Sequence, residues 1–238
     1  MVLMFVQNAV ILSAGRGSRL LPLTQDRPKC LIPVGGRAIL DHQIDALAAA
    51  GVARTTVVGG YLSDRITAHL AGGTAAADMR FNPFWAVSSS IGSVWTARDL
   101  LHGDFAIVNG DTVYRPALIR EGLAQVEPGI ALFVEPAPQP EIDDMRVAVT
   151  GGMVRAVGKT LDPADAPFRS LGIVVGRGDD GRYRRMLDAV ISEPDGIQSF
   201  HHRIVHELAQ AGPVQAVVLP GGGWVEIDRP EDIANWAG

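Results

Sequence analysis

The sequence has 238 residues, of which 47% are hydrophobic and 20% charged, a mixture that is typical of globular proteins and excludes intrinsic disorder. At about 150 residues per domain, this length predicts one large domain or one domain with an appended lobe. The net charge of −5 argues against a dedicated nucleic-acid-binding protein. Cys30 is the single cysteine and no run approaches the roughly 18 apolar residues of a membrane span, so we expect a cytoplasmic protein with neither nucleic-acid nor membrane partners.

In the first half of the chain, short apolar runs alternate with stretches that have apolar residues at helical spacing. Strands are predicted over Ala9–Ser13, Thr55–Val58, Met79–Phe81 and Phe105–Val108, and helices over Ile39–Ala50, Ser63–Leu70 and Ser89–Leu100. The resulting βαβαβαβ order indicates a parallel sheet that is covered by helices on both faces.

The second half of the chain is richer in β-structure. A hairpin is predicted over Arg146–Thr150 and Met153–Val157, further strands over Ile130–Val134, Leu171–Val175, Val214–Leu219 and Trp224–Asp228, and helices over Tyr183–Ile191, Phe200–Ala209 and Pro230–Trp236. We therefore expect a single α/β domain over residues 1–238. It should have a Rossmann-like, mostly parallel sheet with helices on both faces and a small inserted β-rich lobe that binds substrate.

A glycine turn, Gly15-x-Gly17, follows the first predicted strand. Glycines at such a turn let backbone N–H groups approach a phosphate. The dinucleotide fingerprint needs a third glycine where this chain has Leu20, and an acidic residue where it has Gly59 and Gly60. No Gly-Lys-Ser/Thr follows either, so both an NAD site and a Walker loop are excluded.

Two cations, Arg19 and Lys29, stand on the loop that begins at this turn. Beside a row of backbone amides they suit a triphosphate, whose leaving pyrophosphate gains negative charge during a reaction. The alternative is a solvated basic surface next to a tight turn. Pro22, Pro28 and Pro33 stiffen the loop and favour the first interpretation.

Three blocks of sequence carry a family resemblance. The pattern Ala-Gly-x-Gly-x-Arg-Leu-x-Pro-Leu-Thr from Ala14, continued by Pro-Lys-x-Leu-x-Pro-Val from Pro28, resembles the signature of sugar-phosphate nucleotidyltransferases. Val108–Asp111 and Trp224–Asp232 are similar to two later blocks of that family. The resemblance implies the nucleotide-diphospho-sugar transferase type of fold and transfer of a nucleoside monophosphate from a triphosphate to a phosphorylated small molecule. Residues 1–128 would then hold the nucleotide and 129–238 the acceptor.

The same resemblance implies a set of site residues. Nucleotide contacts fall on Leu12, Ala14, Gly15, Gly17, Arg19, Lys29, Gly110 and Asp111, and acceptor contacts on Lys159, Ser170 and Gly172. Asp111 and Asp228 are implied to bind Mg²⁺, although an aspartate after a strand is often only a turn residue. Glu226 lies on the same face of its strand as Asp228 and is a candidate auxiliary ligand. Arg19, Lys29 and Lys159 are the expected catalytic cations in a direct attack on the α-phosphorus.

The segment Phe81–Trp95 is similar to the phosphocholine cytidylyltransferases, with Asn82 in place and Ser89 and Ser90 where that group has paired asparagines. Asn82 and both serines are expected to contact the nucleotide, and the alternative for the serines is that they cap a helix. Met145–Lys159 resembles the inositol-1-phosphate cytidylyltransferases. Both groups use CTP, so cytidylyl transfer is the leading hypothesis. A UTP- or dTTP-dependent sugar-1-phosphate enzyme and a non-catalytic nucleotide-binding regulator remain as alternatives.

Two adjacent histidines stand where a choline site would have an aromatic and an acidic residue. His201 and His202 are therefore candidate acceptor contacts, and the acceptor stays open among phosphocholine, aminoethylphosphonate, inositol phosphate and sugar phosphates. His202 and His206 have the i, i+4 spacing of a zinc pair, but no glutamate follows the first as in metalloproteases, so zinc is disfavoured. The sequence leaves open whether the protein forms homo-oligomers.

Overall fold

The protein is described by a computed structural model that covers residues 6–73, 76–139 and 141–236. Its strands are β1 (Asn8–Ser13), β2 (Pro33–Val34), β3 (Arg37–Ala38), β4 (Arg54–Gly59), β5 (Asp78–Phe81), β6 (Gly103–Asn109), β7 (Thr112–Tyr114), β8 (Gly129–Pro136), β9 (Arg146–Thr150), β10 (Met153–Gly158), β11 (Phe168–Asp179), β12 (Gln215–Val218) and β13 (Trp224–Glu226). Its α-helices are α1 (Ile39–Ala49), α2 (Ser63–Gly72), α3 (Ser90–Thr96), α4 (Pro116–Gln125), α5 (Arg182–Ile191) and α6 (His202–Ala211). Within the described ranges, no helix combines the length and the apolar character needed to cross a membrane.

A nine-stranded sheet in the order β5-β4-β1-β6-β11-β8-β12-β10-β9 organises the fold. Strands β5, β4, β1 and β6 are parallel, which confirms the βαβαβαβ prediction for the first half. The register pairs Ser13 with Gly59 and Leu12 with Asn109, so the carboxyl ends of these strands lie at one level. The glycine turn and Asp111 leave the sheet at this edge, where ligands bind in open α/β sheets.

The sheet as a whole is mixed, because antiparallel pairs begin at β11. Strand β11 runs antiparallel to both β6 and β8, whereas β12 is parallel to β8. The α/β class with helices on both faces is confirmed, but the expectation of a mostly parallel sheet holds only for the first half. The predicted hairpin β9–β10 pairs with β12 and β11 and so extends the main sheet, and a separate inserted lobe is not confirmed.

Strand alternation divides the core between the two faces of the sheet. On β1, Ala9 and Ile11 point into the cluster beneath α1 and α4, while Val10 points into the cluster beneath α3, α5 and α6. Helix α4 was missing from the sequence prediction. Pro116 at its start and the apolar spacing of Leu118 and Leu123 are the signals that could have revealed it.

Several predicted boundaries differ from the structure. The helix expected over Ser89–Leu100 ends at Thr96 and is followed by a 3-10 turn over Arg98–Leu100. The last helix is a 3-10 helix over Pro230–Asn235. Strand β13 falls within the predicted strand Trp224–Asp228, whereas β2, β3 and β7 were not predicted, because two or three residues carry too little periodicity to be recognised. The pairing of β13 with β7 was not predicted either.

Candidate active site

A cleft of about 560 Å³ opens at the carboxyl ends of β1 and β6. Every site residue proposed from the sequence lines it: Leu12, Ala14, Gly15, Gly17, Arg19, Lys29, Asn82, Ser89, Ser90, Gly110, Asp111, Lys159, Ser170, Gly172, His201, His202 and Asp228. Residues from both halves of the chain therefore face a common space. Their individual roles remain predictions.

Asp111 and Asp228 are brought together by the small β7–β13 ladder. Asp111 stands two residues after the end of β6 and directly before β7, and Glu226 on β13 pairs with Thr112 on β7. The N–H of Ile227 then donates to the carbonyl of Asp111 at 2.8 Å. Ligand oxygens of Asp111, Glu226 and Asp228 consequently lie within 4.8 Å of one another.

The backbone around Asp228 is held by a side chain of the following 3-10 helix. The carboxylate of Asp232 accepts hydrogen bonds from the backbone N–H groups of Asp228 at 2.9 Å and of Arg229 at 2.7 Å. This contact satisfies free N–H groups at the start of the helix. It also fixes the direction in which Asp228 leaves the strand.

The three carboxylates suit a small, hard divalent cation such as Mg²⁺, which prefers oxygen ligands. Loss of hydration and the like charges of Asp111 and Asp228 raise the pKa of Glu226 to about 8. Part of its side chain is nevertheless open to solvent. Such crowding of negative charge is relieved when a cation binds between the groups. The donor set therefore fits Mg²⁺, with Asp111 and Asp228 as ligands and Glu226 beside them.

Lys29 bridges the two aspartates. Its Nζ donates to Asp111 Oδ2 at 2.9 Å and also to Asp228. Burial alone would lower the pKa of Lys29, but the two carboxylates outweigh burial and raise it above its ordinary value. The ammonium thus stays charged at physiological pH. In this structure the ammonium neutralises the carboxylate cluster, and its contact with a triphosphate stays a prediction.

The second glycine of the turn makes room for Lys29. Gly17 has φ +65, and a Cβ there would lie 2.9 Å from Lys29 Cβ. Gly15 differs, since a Cβ at that position would meet nothing within 4 Å and its φ is not positive. Gly17 is therefore needed for packing. Gly15 leaves open space on the cleft wall, as close approach of a phosphate to the backbone requires.

Replacing Gly15 by alanine is expected to weaken CTP binding about tenfold, because the added methyl group would block one or two charge-assisted hydrogen bonds from the backbone. The thermal unfolding midpoint should not change, because the methyl group enters open space. Calorimetric titration with CTP and a thermal melt measure the two effects. Gly72→Ala, at an open position on α2, is the matched control, and equal CTP affinity in both variants would contradict a backbone phosphate site.

A network of ion pairs crosses the cleft. Arg19 donates to Asp228 Oδ2 at 2.9 Å and lies 3.4 Å from Asp143, while Lys159 Nζ lies 3.9 Å from the same Asp143. Burial would raise the pKa of Asp228, but Lys29 and Arg19 outweigh it and lower that pKa. The sequence reasoning missed Asp143, and its only signal was the acidic pair next to Met145. Asp143 therefore links Arg19 of the glycine loop to Lys159, which follows the hairpin.

The segment between β5 and α3 is held by its own polar groups. Asn82 is buried, donates to Ser93 Oγ at 3.2 Å and accepts the N–H of Phe84 at 2.9 Å. Its amide therefore shapes the loop that lines the cleft. Ser89 stands at the N-cap of α3, but its hydroxyl makes no capping hydrogen bond. The capping alternative is wrong for Ser89, and its hydroxyl is not used by the helix.

The far side of the cleft contains the histidine pair and the start of β11. Ser170 Oγ accepts the N–H of Gly172 at 3.0 Å and lies 2.9 Å from His202 Nε2. His206 points elsewhere, because its Nδ1 accepts the N–H of Val157 at 3.2 Å. Among the described residues, the acidic cluster is the only group of three or more potential metal ligands, and it contains no histidine. The zinc hypothesis therefore receives no support.

One known protein resembles this chain over most of its length, and another resembles it over about a quarter. The bifunctional IPC transferase and DIPP synthase of Aquifex aeolicus is 26% identical over 234 residues, covering 96% of this chain and 50% of that protein. The CTP:phosphoglutamine cytidylyltransferase of Campylobacter jejuni is 51% identical over 63 residues, which is 26% of this chain and 25% of that enzyme. The chain thus spans half or less of these relatives.

The structure of the inositol-1-phosphate CTP transferase from T. maritima superposes with a TM-score of 0.81 at 19% identity, covering 96% of this chain and 92% of the other. At that identity the likeness shows the fold, which is the nucleotide-diphospho-sugar transferase type. A family model for the MobA-like NTP transferase domain matches residues 9–142, more than half of the chain. This range includes the glycine turn, Lys29 and Asp111.

Proposed function

This chain belongs to the MobA-like NTP transferase domain family, and from that premise we propose that it transfers CMP from CTP to a phosphorylated small alcohol or a phosphonate. Pyrophosphate is the second product. The observation that carries the proposal is the cluster of Asp111, Glu226 and Asp228, with Lys29 bridging the two aspartates, in the same cleft as an open glycine turn. Relatives that are named as cytidylyltransferases favour cytidylyl transfer, and a relative that is named as a uridylyltransferase keeps the uridylyl alternative in the test below.

The reaction is a direct displacement. An oxygen of the acceptor phosphate or phosphonate bonds to the α-phosphorus of CTP, and the bond from that phosphorus to the bridging oxygen of the β-phosphate breaks. Arg19 and Lys29 bind the triphosphate and stabilise the charge of the departing pyrophosphate, while Lys159 orients the acceptor. A bound Mg²⁺, held by Asp111 and Asp228, supplies positive charge that lessens the repulsion between the two phosphoryl groups.

A covalent enzyme intermediate is not part of this proposal. Cys30 is the one thiol in the sequence, and it is buried and does not line the cleft. Burial raises the pKa of Cys30 to about 12, so the thiolate that a nucleophile requires does not form at neutral pH. The side chains that do face the cleft position phosphates and neutralise charge.

Pyrophosphate release, measured for each common nucleoside triphosphate against each candidate acceptor, tests the proposal. The acceptors are phosphocholine, aminoethylphosphonate, inositol phosphate and hexose phosphates, all with Mg²⁺. CTP is expected to support the fastest turnover. Faster turnover with UTP or dTTP would move the assignment to a sugar-1-phosphate enzyme, and no pyrophosphate from any pair would favour the non-catalytic regulator.

A further inference from the structure

The acceptor side of the cleft contains a pair of buried imidazoles whose role the proposed reaction leaves open. His201 is 1% exposed and His202 is 4% exposed, and their ring centroids lie 4.2 Å apart. Both residues line the cleft. Among the described residues, His201 Nε2 has no hydrogen-bond partner. A buried polar nitrogen without a partner is costly, so a group that pairs with it on binding gains affinity.

The protonation of His201 follows from its contact with Ser90. The hydroxyl of Ser90 accepts the backbone N–H of His201 at 2.9 Å and lies 3.2 Å from its Nδ1. Among the described residues, Nδ1 is the only acceptor within hydrogen-bond distance of the Ser90 hydroxyl, so we assign the hydroxyl proton to this contact. This assignment places the ring proton of His201 on Nε2 and makes Nε2 a donor.

His202 is held by an equivalent contact. Ser170 Oγ accepts the N–H of Gly172, so its proton is available for His202 Nε2 at 2.9 Å. Burial lowers the pKa of His201 to about 4, and burial together with His201 and Lys159 lowers the pKa of His202 well below its ordinary value. Both rings are uncharged at neutral pH. Neither histidine, therefore, contributes a cation or an anion to acceptor recognition.

Several of the groups that could hold a substrate ammonium are paired with cations of the chain. Lys159 Nζ stands 5.0 Å from the ring centroid of Phe200, and the guanidinium of Arg169 stands 4.8 Å from that of Trp224. The carboxylate of Asp144 lies 3.3 Å from Arg169. Asp143 is likewise paired with Arg19 and Lys159. In this structure a quaternary ammonium would therefore have to displace these cations from the aromatic and acidic surfaces that it favours.

We propose that the Nε2–H of His201 is a specificity-determining donor that binds a hydroxyl oxygen of the acceptor, so that the acceptor is a polyol phosphate and not a phosphorylated amine. The proposal rests on the cytidylyl transfer proposed above. A hydroxyl oxygen accepts the hydrogen bond of Nε2–H, whereas an ammonium group has no lone pair to accept it. A polyol also places no charge among the ion pairs that line this part of the cleft.

The test compares acceptors that differ at single groups, with CTP and Mg²⁺ held constant. Inositol phosphate, its series of single-deoxy analogues and phosphocholine are turned over by the wild type and by His201→Leu and His201→Gln. The wild type should prefer inositol phosphate to phosphocholine. His201→Leu should lower kcat/KM for inositol phosphate about tenfold, mainly through the KM of the acceptor, because one hydrogen bond to a buried donor is lost. His201→Gln retains an amide N–H and should recover most of that loss.

For one deoxy analogue, kcat/KM with the wild type should be about tenfold lower than for inositol phosphate, and it should not fall further in His201→Leu. The hydroxyl that this analogue lacks is then the one that His201 binds. The KM for CTP should not change. His102→Leu, at an exposed histidine outside the cleft, is the matched control. If His201→Leu does not fold in a thermal melt, the deoxy series with the wild type decides the matter, and no loss with any analogue overturns the inference.

Two further results would overturn the inference while leaving cytidylyl transfer intact. One is turnover of phosphocholine by the wild type at least as efficient as that of inositol phosphate. The other is an equal loss for both acceptors in His201→Leu. By contrast, no pyrophosphate release from any nucleotide and acceptor pair would count against the proposed function itself, so the two failures are distinguishable.

Discussion

Asp111→Asn is expected to lower kcat by about 10³-fold, because a ligand of a catalytic cation contributes several kcal/mol of charge stabilisation. Asparagine has nearly the same shape as aspartate and keeps one oxygen toward Lys29, so the change removes charge and little else. Pyrophosphate release at increasing Mg²⁺ concentration measures the loss. Folding should persist, since the variant removes one of three crowded carboxylates.

Asp188→Asn, on the exposed face of α5, is the control for a neutralised aspartate away from the cleft. Its kcat should match that of the wild type. A loss of less than tenfold in Asp111→Asn, with normal folding, would mean that Asp111 is a turn residue. That outcome would remove the carboxylate cluster from the mechanism.

Lys29→Met is expected to lower kcat by at least about 10²-fold, the scale for one preorganised charge contact at a reacting group. Methionine preserves most of the apolar stem that packs against Gly17 and removes only the ammonium. Steady-state pyrophosphate release at saturating CTP and acceptor gives the change in kcat. An unchanged rate would show that the ammonium only stabilises the two aspartates.

Lys159→Met is the matched comparison, since Lys159 is the other lysine of the sequence and lies on the acceptor side. It should raise the KM for the acceptor and leave the KM for CTP unchanged. Lys29→Met should instead act mainly on kcat. If both variants raised the KM for the same substrate, the division of the cleft into a nucleotide side and an acceptor side would be wrong.

The alternation of strands and helices could be predicted because the spacing of apolar residues within each short stretch indicates a strand or a helix. Residues such as Ile11 and Val10, or Ile44 and Leu47, carry the period of a strand or a helix within a few positions. The pairing of β7 with β13 could not be predicted, because Thr112 and Glu226 are far apart in sequence and each strand has only three residues. That pairing is nevertheless what places Asp228 beside Asp111.

Sequence motifs predicted the site residues, but they did not predict the contacts between those residues. Spacing showed that Arg19 and Lys29 share a loop, but it did not show that Lys29 bridges two aspartates or that Asp143 joins Arg19 to Lys159. The unpartnered nitrogen of His201 is likewise a property of burial and of Ser90, which is distant in sequence. Long-range partners of this kind depend on the fold and are not readable from local sequence.

The central claim is that Asp111 and Asp228 share a divalent cation beside the glycine turn that binds the triphosphate. Anomalous diffraction from crystals grown with Mn²⁺ and CTP tests it most directly, because Mn²⁺ gives a signal that Mg²⁺ lacks. The account predicts one Mn²⁺ in contact with a carboxylate oxygen of each aspartate, with Lys29 moved off the pair and the triphosphate against Gly15. A Mn²⁺ that contacts neither aspartate, or a triphosphate bound away from the turn, would contradict it.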